Sequence, residues 1–312
     1  MHNTPDWVFQ QAYTDKIKAG ANRRMVAKQP GQEWGTPLET SDYHNGLHLP
    51  SHRETLTVQF QGKLVRAKIH KSTDQPHKAH KRGKITGFSA QSRGRLFDIF
   101  NSMEIRNPVI FITLTYLSEE INCETSKSHL RAFIKRLQRL FPRSNMSFVW
   151  RMEFQERGAI HYHILAFGLP FTPKEVIQRM WGEIISEICP FTRIEMIYSA
   201  KKIMNYVSKY VAKVDKQALS GFNSLTYLSA YQKKHGDETG RVWGIIGKQF
   251  LPMAELVICE VGFQYAKFMQ FKEFAAQLYP PLMESLSLGF RLYVMSAKHW
   301  EYLFHRIYDI QF

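Results

Sequence analysis

The chain has 312 residues, 44% hydrophobic and 13% aromatic, enough for a substantial buried core and so for a globular protein. Its 42 Lys and Arg against 27 Asp and Glu leave a net charge of +15, a footprint suited to a polyanion, with nucleic acid the first candidate partner. Three widely spaced cysteines, Cys123, Cys189 and Cys259, with no CxxC pair, exclude a disulfide framework and a zinc ribbon and fit a reducing cytosol; no window approaches a signal peptide or a membrane span, so no membrane contact and a cytoplasmic location are expected.

Residues 1 to about 50 are polar, with scattered Gly and Pro, and are expected to form a loosely organised, mobile lead-in. Two alternating runs in TLTVQFQGKLVRAKI, around Gln61-Gly62, predict a β-hairpin. From His70 to Lys84 the chain is basic, with Lys71, Lys78, Lys81, Arg82 and Lys84 opposed only by Asp74; this reads as a solvated loop, its histidines (His70, His77, His80) assigned no metal. Ser89 caps a predicted helix in SAQSRGRLFDIFNSM, and Pro108 opens a strand, PVIFITLTY.

Residues 124–141 carry Leu130, Phe133, Ile134, Leu137, Leu140 and Phe141 at helical spacing, with Pro142 as the stop. The opposite face presents Lys127, Arg131, Lys135 and Arg139, candidate contacts to DNA phosphates. Strands SFVWRMEF and AIHYHILAF follow, then a helix announced by Thr172-Pro173 with Glu175 completing a capping box, a strand TRIEMIY and a helix AKKIMNYVSKYVAKV. This order predicts an α+β fold, a central antiparallel sheet with helices packed on it, with less defined elements at both ends. The expected domains are an N-terminal lead-in with hairpin and basic loop at 1–88, a central domain at 89–250 and a C-terminal α/β extension at 251–312.

Two clusters carry chemistry. In a strand, His161 and His163 project from one face while Tyr162 points away, an arrangement open to a metal site or to hydrogen-bonded core histidines. Upstream, Glu156-Arg157-Gly158 suits a three-residue hairpin loop; pairing Gln155 with Ala159 then sets Glu153 directly opposite His161. One carboxylate and two imidazoles suit Mg²⁺ or Mn²⁺, and Glu156, in the turn, is the weaker candidate.

The second cluster is YVSKYVAK. On a helix, Lys202, Tyr206, Lys209, Tyr210 and Lys213 form one stripe beside an apolar stripe of Ile203, Val207, Val211 and Val214. Such tyrosines often simply flank a buried face. Joined to a metal site, however, they suit phosphodiester attack: a phenol with a reference pKa of about 10 needs nearby positive charge, which Lys209 and Lys213 supply.

FITLTY at 111–116, Glu153 with ERGAIHYHILAFG at 156–168, and YVSKYVAK at 206–213 resemble the three ordered motifs of the HUH rolling-circle replication initiators. The likeness is closest to replication-associated proteins of microvirus-type single-stranded DNA phages and related plasmids, and spans about residues 90–250 if RVWGIIGK is counted. It implies an HUH endonuclease fold, a divalent ion held by Glu153, His161 and His163, and attack by Tyr206 or Tyr210 on single-stranded DNA at a replication origin. The product it implies is a 5′-phosphotyrosyl link and a free 3′-hydroxyl for a host polymerase, made in the host cytoplasm. Thr113 and Thr115 are candidate supports for the site or plain strand formers.

The chain departs from a fused helicase in lacking GxxxxGK[ST], since Gly247-Lys248 has neither the earlier glycine nor the Ser/Thr; unwinding is expected from a host helicase. A mobilising relaxase or a single-strand transposase would share the chemistry. A non-enzymatic binding module would instead hold single strands by charge and stacking, with no metal requirement and no covalent adduct.

Overall fold

A computed structural model describes residues 25–26, 55–70, 88–199, 202–203, 206, 228–236, 238–278, 283–286, 289–294 and 300–310. Apart from Met25–Val26 and His70, the lead-in and the basic loop therefore lie outside the described residues, as does most of the predicted helix at 200–214. Two compact units divide the chain: residues 77–253, and residues 1–76 with 254–312.

The unit of residues 77–253 is built on a five-stranded sheet. Its strands are β4 (Val109–Thr115), β5 (Ser147–Phe154), β6 (Ile160–Phe167), β7 (Thr192–Ile197) and β8 (Trp243–Ile246), in the order β7-β4-β6-β5-β8. Every neighbouring pair is antiparallel, as the α+β reading expects. The helices are α1 (Ala90–Asn101), α2 (Cys123–Leu140), α3 (Lys174–Ile185) and α4 (Leu228–His235).

Local chemistry explains most of the boundaries. Ser89 caps α1 by accepting the Ser92 amide, and the Asn122 side chain accepts the Thr125 amide to start α2. The capping box expected ahead of α3 does not form: Pro173 is the capping residue, without a side-chain bond, and the Thr172 hydroxyl instead donates to the Pro170 carbonyl.

One face of this sheet carries the core. Ile112, Leu114, Met152, Tyr162 and Ile164 pack with Leu130, Phe133 and Leu137 of α2 and Trp181 of α3, all buried. Each contributes about 1.5–3 kcal/mol by leaving water. The Tyr162 hydroxyl and Ser126 Oγ of α2, 2.8 Å apart, satisfy each other within this layer.

In the other unit the predicted hairpin is present as β2 (Thr55–Gln61) and β3 (Leu64–His70), turning at Gly62 with φ of 58°. It joins β9 (Leu256–Gly262), β10 (Met283–Leu286) and β11 (Gly289–Tyr293) in a sheet of order β1-β9-β2-β3-β11-β10, where β1 (Met25–Val26) pairs parallel to β9. Phe268 and Phe271 of α5 (Tyr265–Leu278) and Leu303 and Ile307 of α6 (Trp300–Asp309) cover Leu56, Val58, Phe60 and Phe290. Residues more than 200 apart thus share one core.

The three thiols test this burial. Cys123 and Cys259 are buried and Cys189 is exposed; burial pushes both buried thiols up, Cys259 to about 12. A thiol whose pKa is raised stays protonated and unreactive at mildly alkaline pH. We expect one thiol to react rapidly with a colorimetric disulfide reagent in the native protein and all three after denaturation; rapid native reaction of two would contradict the packing of α2 or β9.

Candidate active site

The hairpin between β5 and β6 positions the acidic and imidazole groups. The Gln155 amide donates to the Ala159 carbonyl at 2.8 Å, the Gly158 amide donates to Gln155 at 2.8 Å, and Gly158 takes a φ of 94°, so the loop is the three-residue turn the sequence predicts. This register sets Glu153 opposite His161 and Arg151 opposite His163. Glu156 sits in the turn, away from the cluster.

Both imidazoles converge on one carboxylate oxygen. His161 Nε2 lies 3.3 Å and His163 Nε2 3.2 Å from Glu153 Oε2, and the side chains are only 19%, 12% and 13% exposed for His161, His163 and Glu153 respectively. Their ligand atoms all fall within 4.8 Å of one another, a group that could hold a metal ion. The neighbours hold it in shape: His163 Nδ1 and Thr113 Oγ1 are 3.2 Å apart, and Phe111 stacks on the His163 ring at 5.5 Å and 11°. A bond at Nδ1 leaves Nε2 to face the carboxylate or an ion.

The electrostatics suit a cation. Burial opposes ionisation of Glu153, but hydrogen bonds from His161 and His163 and the charge of Arg151, whose Nη2 is 3.4 Å from Oε1, hold its carboxyl well below the usual range. Burial lowers the pKa of His163, against the pull of Glu153, so the imidazole is neutral at neutral pH. An ionised carboxylate beside a neutral imidazole is the protonation state metal binding requires. Arg151 is itself buried beneath the Phe88 ring, 4.7 Å from its centroid.

Tyr206 reaches the same face of the sheet. Phe111 pairs with Glu195 across β4 and β7, and the Tyr206 ring packs on Phe111 at 4.6 Å while its hydroxyl donates to Glu195 Oε2 at 2.6 Å. Burial and this carboxylate both raise the phenol's pKa. An unbroken line of contacts therefore runs from the phenol through Phe111 to His163. Lys202, in helical conformation like Tyr206, is exposed; Lys209, Tyr210 and Lys213 lie outside the described residues.

The basic face of α2 lies elsewhere. Tyr162, which contacts Ser126 of α2, points to the face opposite His161 and His163, so α2 and its cations are on the far side of the sheet. Arg131, Lys135 and Arg139 are exposed there, while Lys127 is half-buried, its Nζ donating to the Thr239 carbonyl at 2.6 Å and its pKa lowered chiefly by burial. Thr115 pairs with His161 in the sheet, and its carbonyl accepts the Trp181 indole N–H at 3.2 Å.

Sequence reasoning missed Glu195, Phe111 and Arg151. For Glu195 a signal existed: Arg193 and Glu195 alternate in TRIEMIY, so two charged side chains share one face of a strand whose other members are largely apolar.

Residues 109–215, a third of the chain, match the model of the ORF2 family of replication-associated proteins, which supports a replication initiator. The matched stretch contains Glu153, His161, His163, Tyr206 and Tyr210. No curated protein and no solved structure matches the chain. Among the described residues no helix is long and apolar enough to cross a membrane.

Proposed function

We propose that the chain is a rolling-circle replication initiator of the HUH type, which nicks single-stranded DNA at an origin by tyrosine attack and later rejoins it. The observation that carries this reading is the meeting, on one sheet face, of the Glu153, His161 and His163 cluster and the Tyr206 ring, bridged by Phe111. The donor set fits a divalent ion such as Mg²⁺ or Mn²⁺, because the carboxylate is ionised and at least one imidazole neutral. Bound there, the ion would neutralise the oxygens of the scissile phosphate.

The remaining work falls to the chain. Glu153, His161 and His163 orient the phosphate site, and Thr113 and Phe111 keep the His163 ring in place. Tyr206 Oη attacks phosphorus as the bond to the 3′-oxygen breaks, giving a 5′-phosphotyrosyl strand and a free 3′-hydroxyl for a host polymerase. Tyr210 serves as the second nucleophile that closes the cycle. The protein–DNA ester preserves the phosphodiester, so the reverse attack rejoins the strand. Exposed Lys and Arg, Lys202 among them, hold the DNA backbone, and strand separation comes from a host helicase in the host cytoplasm.

The test uses single-stranded oligonucleotides tiling the chain's own coding sequence and its flanks, with Mn²⁺, resolved on a denaturing gel. We expect 3′-label to move with the protein and 5′-label to appear on a shorter free strand. Tyr206→Phe should lose most of the adduct and Tyr206→Phe with Tyr210→Phe all of it. DNA that is bound without any adduct, with or without Mn²⁺, would leave a binding module as the reading.

A further inference from the structure

We propose that Glu195 is the general base for Tyr206. This rests on the nicking reading above and names a catalytic residue that neither the sequence motifs nor the family match assigns. The Tyr206 hydroxyl donates to Glu195 Oε2 at 2.6 Å, within the reach a base needs to take a proton directly. Glu195 lies on the edge strand β7, a third exposed, on the sheet face that carries the imidazole pair. The phenol ring packs on Phe111 at 4.6 Å, which holds its hydroxyl against the carboxylate.

A phenol tied to a carboxylate is held neutral before reaction. Its proton must therefore leave during attack, and the accepting oxygen is already in contact. As the bond from Tyr206 Oη to phosphorus forms, the phenol becomes far more acidic and its proton passes to Glu195 Oε2. The bond from phosphorus to the 3′-oxygen breaks, and that oxygen departs with the electron pair and takes a proton from water. In rejoining, the 3′-hydroxyl loses its proton to water, and protonated Glu195 returns one to the departing tyrosyl oxygen.

Arg193, with Nη2 3.2 Å from Glu195 Oε2, is the other charged group touching the carboxylate among the described residues. The phenol, its pKa raised by burial and by this carboxylate, stays protonated near neutrality. Among the described residues Glu195 makes its side-chain contacts with Arg193 and Tyr206 and none with Glu153, His161 or His163, so a difference between the pH profiles of wild type and a Glu195 variant reports position 195.

Glu195→Gln keeps the shape and an acceptor oxygen but cannot take the proton. With the tiled oligonucleotides and Mn²⁺, single-turnover adduct formation at pH 7 should slow by about 10²-fold or more. Its rate should keep rising with pH where the wild-type rate levels off, and Glu195→Asp should recover part of the loss. A wild-type rate in Glu195→Gln overturns the proposal. So does a slow variant whose profile keeps the wild-type shape, which would make Glu195 a positioning residue. In both cases a wild-type adduct that Tyr206→Phe removes leaves the nicking reading standing, whereas absence of any wild-type adduct removes that reading and this proposal together.

Discussion

His161→Ala is expected to lower nicking by about 10³-fold while binding of single-stranded DNA stays largely unchanged, because a bound ion's stabilisation of transition-state charge is worth several kcal/mol. His161 is one of two imidazoles facing Glu153 Oε2, and it is the most exposed member of the cluster. Its loss removes one of the proposed metal ligands but leaves Glu153 its contacts with His163 and Arg151. Binding should survive because contacts of Lys and Arg with phosphate supply most of the affinity for nucleic acid, and they lie outside the cluster.

Glu153 is a poorer choice for the same test. Its carboxylate is the counter-charge to Arg151, a side chain 6% exposed, and breaking a buried pair costs about 3–5 kcal/mol. A Glu153 variant would therefore confuse lost metal with lost fold. Isothermal titration of Mn²⁺ into wild type and His161→Ala, beside the gel assay, separates binding of the ion from chemistry. Normal nicking by His161→Ala would mean that the cluster holds no catalytic metal.

What could be read from the sequence was whatever is decided within a few residues. The Gln155-to-Ala159 loop is local, so the register that places Glu153 opposite His161 follows from one glycine and strand alternation. The Asn122 and Ser89 caps and the stripe of α2 are local in the same sense. Contacts between distant elements were not legible. The Tyr206 bond to Glu195 depends on how a helical segment settles on an edge strand, and β8 joins β5 across about ninety intervening residues. The hairpin of β2 and β3 finds partners near the other end of the chain. The cations of α2 show a different limit: periodicity told which residues face solvent, but not which side of the sheet that solvent lies on. The failed cap at Thr172 shows a third, since a hydroxyl can either accept from a helix amide or donate to a nearby carbonyl, and here it donates to Pro170.

Trp181→Ala should strongly destabilise the unit of residues 77–253, by about 3–5 kcal/mol. The indole is fully buried on α3 and meets Tyr116 edge-on at 5.1 Å and Phe133 at 5.9 Å. Its N–H also donates to the Thr115 carbonyl at the end of β4, beside the strand that carries His161. Truncation therefore empties a large volume between α2, α3 and the sheet and removes a partner from a buried carbonyl. Trp181→Phe isolates the second effect, since it keeps a ring in the site and loses the donor, at a cost of about 1–3 kcal/mol. Urea unfolding followed by circular dichroism measures both. Total stabilities of about 5–15 kcal/mol are usual, so the alanine variant should sit close to unfolding at physiological temperature, while the phenylalanine variant still binds Mn²⁺. A shift of the alanine midpoint too small to distinguish from wild type would mean that α3 does not cover the sheet at β4, and the support behind Thr115 and His161 would have to come from elsewhere.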